Sequence, residues 1–295
     1  MQVEWRKMMA GSSKAFRKHG TYVYEVPATI ARYGTTALTI EAMKEAQMSH
    51  AWVRIHAQGP YPTNEKRSIA AFIDALKKAD IAVAGWGWCQ GSDATADAKL
   101  AVKELKSFGL SDYVADIEHG VHGANWELSE ITNFCTRVRA GVSGSFGITT
   151  FPLIDWHEPE LMTAALSIVD MFNPQIYWHH FPNKKMVTQF KRSGGAAYRQ
   201  NQAPEYVDLC LDRWTKLMGG VQKDIVVTGQ AYWGEGVPPF SQQAAEDKLD
   251  EFLPGWSGYG RIIGMNWWHF GGGSSMSHRM RNSINKAGLG NKKYG

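Results

Sequence analysis

The chain has 295 residues, 44% of them hydrophobic and 20% charged, with a formal net charge of +4 and a pI near 8.8. These proportions are those of an ordinary globular chain and exclude extended disorder. The positive excess is small and evenly spread, which suits an anionic polymer and argues against nucleic acid as a partner.

The first twenty residues, Met1 to Gly20, form a basic lead without an apolar h-region, and no run approaches the ~18 apolar residues of a membrane helix. The expectation is a chain with no secretory signal and no membrane span, made in the cytoplasm and reaching any outside target by export or lysis. Cys89, Cys135 and Cys210 are odd in number and lack metal-ligand spacing, so they read as core thiols folded under reducing conditions.

In chain order, Tyr22 to Val26 alternates as strand one, closed by Pro27, and a helix follows from about Thr39. Ala51 to His56 is strand two, and Ile69, Phe72, Ile73 and Leu76 share one face of a helix. Ile81 to Trp86 is strand three; Ser92 or Asp93 caps a helix with Ala101, Leu105 and Phe108 on one face, and Gly109 stops it. Tyr113 to Ile117 is strand four, followed by a helix over Leu128, Ile131, Cys135 and Val138. Phe146 to Phe151 is strand five, Glu158 to Ile168 is helical, and strand six lies within Val169 to Trp178. Lys184 to Gln202 is undecided. Glu205 to Met218 is a helix, Asp224 to Ala231 strand seven, and Ala245, Leu249 and Phe252 mark the next helix. Arg261 to Trp268 is strand eight, and Ser274 to Ala287 a last helix.

Eight strands alternating with eight helices predict one (β/α)8 TIM barrel over residues 21–288, between the lead at 1–20 and a polar tail at 289–295. An open doubly wound sheet would need a glycine-rich first turn, and Val26-Pro27-Ala28-Thr29 is not one. Barrel sites lie at the carboxyl ends of the strands, which gathers Glu25, His56, Trp88, Asp116, Glu118, Asp155, Tyr177, Glu235, Trp267 and His269 at one mouth.

The chemistry concentrates at the end of strand four, where Asp116 and Glu118 follow buried residues. Residues i and i+2 share a face, so both carboxyls point where Val114 points. Two carboxyls in one poorly solvated site cannot both ionise freely; one keeps its proton and becomes a general acid. The plainer reading is a cap at Asp116 and an ion pair at Glu118. The chain also carries 12 Trp. Trp86, Trp88, Trp178, Trp233, Trp267 and Trp268 fall after predicted strands, where aromatic faces stack on sugar rings.

Ala84-Gly85-Trp86-Gly87-Trp88, the helix over Ala94 to Phe108, and Tyr113-Val114-Ala115-Asp116-Ile117-Glu118 resemble strands three and four of the family 25 glycoside hydrolases, the lysozyme-type muramidases. The barrel with its acid pair, Gln175-x-Tyr177 and Trp267 also resembles the family 18 chitinase-like group. The chain departs from both: Tyr24-Glu25 and Asn266 stand where the muramidases have Asp on strands one and eight, and Val114 and Ser111 stand where the longer chitinase motif has acids.

The resemblance implies a glycoside hydrolase acting on a polysaccharide of N-acetylated amino sugars, peptidoglycan first and chitin-like chains second. Glu118 is the expected general acid. Asp116 and Tyr177 would orient the sugar's own 2-acetamido group as nucleophile, with Glu25 or Glu235 as an alternative base or nucleophile. Trp88, Gln175, Trp178, Trp233, Glu235, Trp267, His56 and His269 are the expected sugar contacts, and no metal or cofactor is expected. Three other readings remain open. His56, Asp116, Glu118, His179 and His269 would make a metal-dependent hydrolase, although strand one lacks His-x-His. Gly271-Gly272-Gly273-Ser274-Ser275 would bind phosphate through backbone N–H groups, or form a flexible exit with a Ser N-cap. A barrel without turnover would be a glycan or cell-wall binding module.

Overall fold

Eight apolar segments pair in parallel and in sequence order, the first closing against the last, in the computed structural model, which describes residues 13–235 and 238–295. The strands are β1 (Lys18–Val23), β2 (His50–His56), β3 (Ala82–Cys89), β4 (Tyr113–Ile117), β5 (Phe146–Thr150), β6 (Met171–Ile176), β7 (Asp224–Gln230) and β8 (Gly264–Trp268). The helices between them are α1 (Val26–Tyr33), α2 (Thr36–Glu45), α3 (Thr63–Lys78), α4 (Ala94–Ser107), α5 (Leu128–Gly141), α6 (Pro159–Ala165), α7 (Lys184–Gln189), α8 (Ala203–Met218), α9 (Gln242–Gly255) and α10 (His278–Lys286). This is the expected (β/α)8 barrel.

Side chains alternate along each strand between the barrel interior and the helix layer. Val114 of β4 joins Tyr22, Trp52, Ala84, Trp86, Met171 and Val226 inside, while Tyr113, Ala115 and Ile117 pack outward beneath the helices. Glycine on β8 lets the backbone at the amino-terminal end approach closely: a Cβ on Gly264 would run into the Phe16 carbonyl oxygen. The amino-terminal floor is a 3-10 turn, Lys14–Phe16, whose Ala15 carbonyl accepts from Trp52 Nε1 at 2.7 Å.

Above this floor lies a buried polar layer. The Tyr22 hydroxyl, Thr149 Oγ1 and Thr228 Oγ1 each sit 2.7 Å from Asn173 Oδ1, and Asn173 Nδ2 donates to the Val226 carbonyl at 2.6 Å. Four strands are thereby tied across the barrel just below the site.

Several boundaries differ from the sequence reading. Strand one starts at Lys18, inside the supposed lead, and Pro27 opens α1 rather than closing a strand. A proline ring suits the first helical turn, where no intrahelical acceptor is lost. The rest of the lead, residues 1–12, lies outside the described residues. Lys184 to Gln202 resolves into α7 and a turn closed by an antiparallel bridge between Lys191 and Ala197, anchored by ion pairs from Arg192 and Arg199 to Glu205. The tail at 289–295 packs under the barrel: Leu289 is buried and Gly295 N donates to the Ile262 carbonyl at 2.8 Å. No described helix is long and apolar enough to cross a membrane.

Candidate active site

At the carboxyl end of the strands the mouth opens into a cavity of about 920 Å³, lined by inward-facing strand residues and the loops that follow them. Its base is aromatic. Tyr24, Trp86 and Trp268 meet with ring centroids 6.3 Å (Tyr24 to Trp86), 5.6 Å (Tyr24 to Trp268) and 5.8 Å (Trp86 to Trp268) apart, above Tyr22. Trp88 stands on one wall with His122 edge-on to it at 6.4 Å, and His269 continues the wall beyond Trp268.

Into this cavity β4 delivers Asp116 and Glu118, as the period of two requires. Asp116 is buried and Glu118 half-buried at the start of the loop, which is closed by the Gly120 N to Ala124 O bond at 2.9 Å. Gln175 Nε2 donates to Asp116 Oδ1 at 3.1 Å, and the Tyr177 hydroxyl donates to Gln175 Oε1 at 3.2 Å. The amide thus has one orientation, with its N–H toward the acid.

Burial, reinforced by the charge of Glu118, pushes the Asp116 carboxyl well above its ordinary range, against the lowering effect of the Gln175 bond. Burial likewise raises Glu118, against Gln175 and His122. The pair titrates as a unit that retains a proton above the pH at which a solvated carboxyl loses it. Such a pair can donate that proton to a leaving group. Burial also raises the Tyr177 hydroxyl, which stays protonated and able to donate.

Of the residues expected at the site, Trp88, Asp116, Glu118, Gln175, Tyr177, Glu235 and His269 line the cavity. Glu235 sits on the loop after β7, exposed but raised by partial burial. Six others lie elsewhere. The register between β2 and β3 shifts between Arg54 and His56, so His56 turns to the helix layer, where its Nε2 lies 2.8 Å from the Tyr113 hydroxyl. Trp267 has outward parity and its indole bonds His19, leaving Trp268 to face the cavity. Trp178 is buried against Phe252, 4.4 Å between centroids, and Trp233 is half-buried outside the cavity lining. Glu25 lies in an adjoining pocket, 4.0 Å from Arg54 Nη2. Asp155 also leaves the mouth, ion-paired to Arg213 at 2.6 Å.

Trp86 and Trp268, expected among the sugar-stacking rings, also line the cavity, and residues that the sequence reading left out include Tyr24, Arg54, Tyr61 and His122. The arginine carried a signal: it is the one charged residue in the apolar run of β2, on the parity of Trp52, which packs inside the barrel. The metal reading fails on geometry. His56 points away and His179 stacks on Phe240 at 4.1 Å, and among the described residues no three His, Cys, Asp or Glu side chains cluster as ligands. The phosphate reading fares similarly, because the Gly271–Ser275 loop turns its carbonyls inward. Arg32 Nη1 donates to the Gly272 carbonyl at 2.6 Å and Nη2 to that of Met276 at 3.2 Å, so the loop presents acceptors to a cation where a phosphate would need N–H donors.

The architecture is that of the (β/α)8 barrels, a class that includes many glycoside hydrolases. No family model and no curated protein matches the sequence. Among solved structures, the chain is similar to a double mutant of the family 18 chitinase of Cycas revoluta in complex with (GlcNAc)4, with a TM-score of 0.60 at 8% identity over 92% of this chain and 98% of that one. It is also similar to the family 18 chitinase ChiB of Flavobacterium johnsoniae (TM-score 0.56, 12% identity, 93% and 94% covered) and to fungal β-1,4-galactanases (0.56, 13%, 92% and 99%). At these identities the likeness is one of fold.

Proposed function

We propose that the chain is a glycoside hydrolase of polysaccharides built from N-acetylated amino sugars, with Glu118 as the general acid. The observation that carries this reading is the raised Asp116–Glu118 pair at the base of an aromatic cavity open to solvent. Chitinases among the fold neighbours, one of them holding (GlcNAc)4, support the same substrate class.

In this mechanism a sugar stacks on Trp268 or Trp86 and Glu118 gives its proton to the glycosidic oxygen. The 2-acetamido carbonyl oxygen of the same sugar attacks the anomeric carbon as the bond to the leaving oxygen breaks. Asp116, held by Gln175, accepts the acetamido N–H and balances the charge that develops on the ring it forms. Water then opens that ring and returns a proton to Glu118. Glu235 is the carboxylate left for a direct base or nucleophile, since Glu25 stands outside the cavity.

The test is release of reducing ends from purified peptidoglycan and from chitin oligomers. Release from either supports the reading. Binding to both polymers with release from neither would leave a glycan-binding module.

A further inference from the structure

Beside the main cavity, and meeting it at Tyr24, Arg54 and Tyr61, is a second pocket of about 290 Å³ that the mechanism does not use. Its other walls are Glu25, Val26, Pro27, Ala28, Glu65 and Ile69. Arg54 stands at the junction with its side chain only 13% exposed. Its guanidinium lies 3.8 Å from the centre of the Tyr24 ring and 5.5 Å from that of Tyr61, and its Nε bonds the Tyr61 hydroxyl.

That clamp fixes the planar cation and leaves its outer edge with one long ion pair and no hydrogen bond. Among the described residues, neither Nη makes a hydrogen bond, and the ion pair of Nη2 with the 55% exposed Glu25 carboxylate is long, at 4.0 Å. A guanidinium held rigid, with Nη groups that make no hydrogen bond, matches a carboxylate or amide oxygen well enough to displace a long, solvent-exposed ion pair, because little side-chain entropy remains to be lost on binding. Glu25 and Glu65 add acceptors for N–H donors across the pocket, and Val26, Pro27, Ala28 and Ile69 add a small apolar wall. Acceptors and donors facing one another over a short apolar patch suit a peptide. A further sugar fits less well, because the two rings in the pocket, Tyr24 and Tyr61, are already taken up by the Arg54 guanidinium.

We propose that this pocket is a subsite for a peptide substituent on the sugar bound in the main cavity, with Arg54 taking a carboxylate or carbonyl of that peptide. The proposal rests on the glycoside hydrolase reading and sharpens it: the preferred polymer carries a peptide through the 3-O-lactyl group of muramic acid, as peptidoglycan does and chitin does not. The pocket opens from the same aromatic base that holds the sugar, so a substituent on the ring reaches it without leaving the site.

The experiment compares kcat/KM on glycan strands with intact peptides, on the same strands stripped of peptide by an amidase, and on chitin oligomers. Wild-type protein should prefer the peptide-bearing strands at least tenfold. The preference should fall about tenfold in Arg54→Met, and also in Ala28→Trp, which fills the pocket without touching the clamp and guards against a folding defect of the first variant. Binding of N-acetylmuramyl dipeptide, but not of N-acetylglucosamine, should weaken in both variants. If stripped and intact strands are cleaved equally, or both variants keep the wild-type preference, the subsite is refuted while the hydrolase reading stands. If no polymer is cleaved, the hydrolase reading falls and the subsite with it.

Discussion

Asn173→Leu perturbs the layer on which the site rests. Leucine is close to asparagine in shape, so the cavity term is small and the hydrogen bonds are isolated. In the wild type, three hydroxyls converge on Asn173 Oδ1 at 2.7 Å and its amide N–H reaches the Val226 carbonyl. After substitution, Tyr22 can still donate to Thr149 at 3.0 Å and Thr228 to Tyr22 at 3.4 Å. The Thr149 hydroxyl then has no acceptor in that layer, and the Val226 carbonyl loses the asparagine N–H. One to two orphaned buried groups at about 1–3 kcal/mol each give a loss of about 1–6 kcal/mol. Urea unfolding followed by tryptophan fluorescence measures it as a lower midpoint at unchanged slope. A loss below about 1 kcal/mol would mean that the layer re-pairs or admits water, and that the site does not depend on it for rigidity.

Two adjacent tryptophans should separate function from stability. Trp268→Ala removes part of the aromatic base and should weaken glycan binding about tenfold with a modest stability cost. Trp267→Ala empties a fully buried site and should cost about 3–5 kcal/mol while the folded fraction binds glycan normally; equal effects on binding would contradict the assigned parity. Acid should also loosen the fold through three histidines. Burial holds His19 and His56 at about 4 and His50 at about 3, so each stays neutral in the fold, whereas the unfolded chain takes up a proton near pH 6.5. Their stabilising contribution is therefore complete above about pH 6.5 and lost as the pH falls toward 4. The urea midpoint of His50→Gln should fall less steeply over that window than that of wild type, and an equally steep fall would refute the assignment.

The acid pair was legible in the sequence because a period of two is robust on a short, buried strand, and Val114 fixed its direction. The same reasoning failed at His56, where one irregular residue after Arg54 reverses the face, and an insertion of that kind leaves no mark in a run of apolar residues. On β8, Trp267 and Trp268 are chemically identical, so only the neighbours decide. Gly264 and Asn266 share the parity of Trp268, and a buried polar residue with a glycine was the available sign of the interior face. Glu25 was placed in the mouth by counting from a strand drawn too late. Tyr61 was invisible because its role depends on a loop folding back over Arg54, a contact that no local pattern encodes.

The central claim is that the proton held by the β4 acid pair drives bond cleavage, and Glu118→Gln tests it most directly. Turnover of wild type and variant is followed as reducing ends released from peptidoglycan and chitin oligomers, with polymer binding measured on the same preparations. Loss of a general acid predicts a fall of about 100-fold to 10,000-fold in kcat with binding retained. A variant that cleaves at the wild-type rate would show that the chemistry lies elsewhere in the barrel.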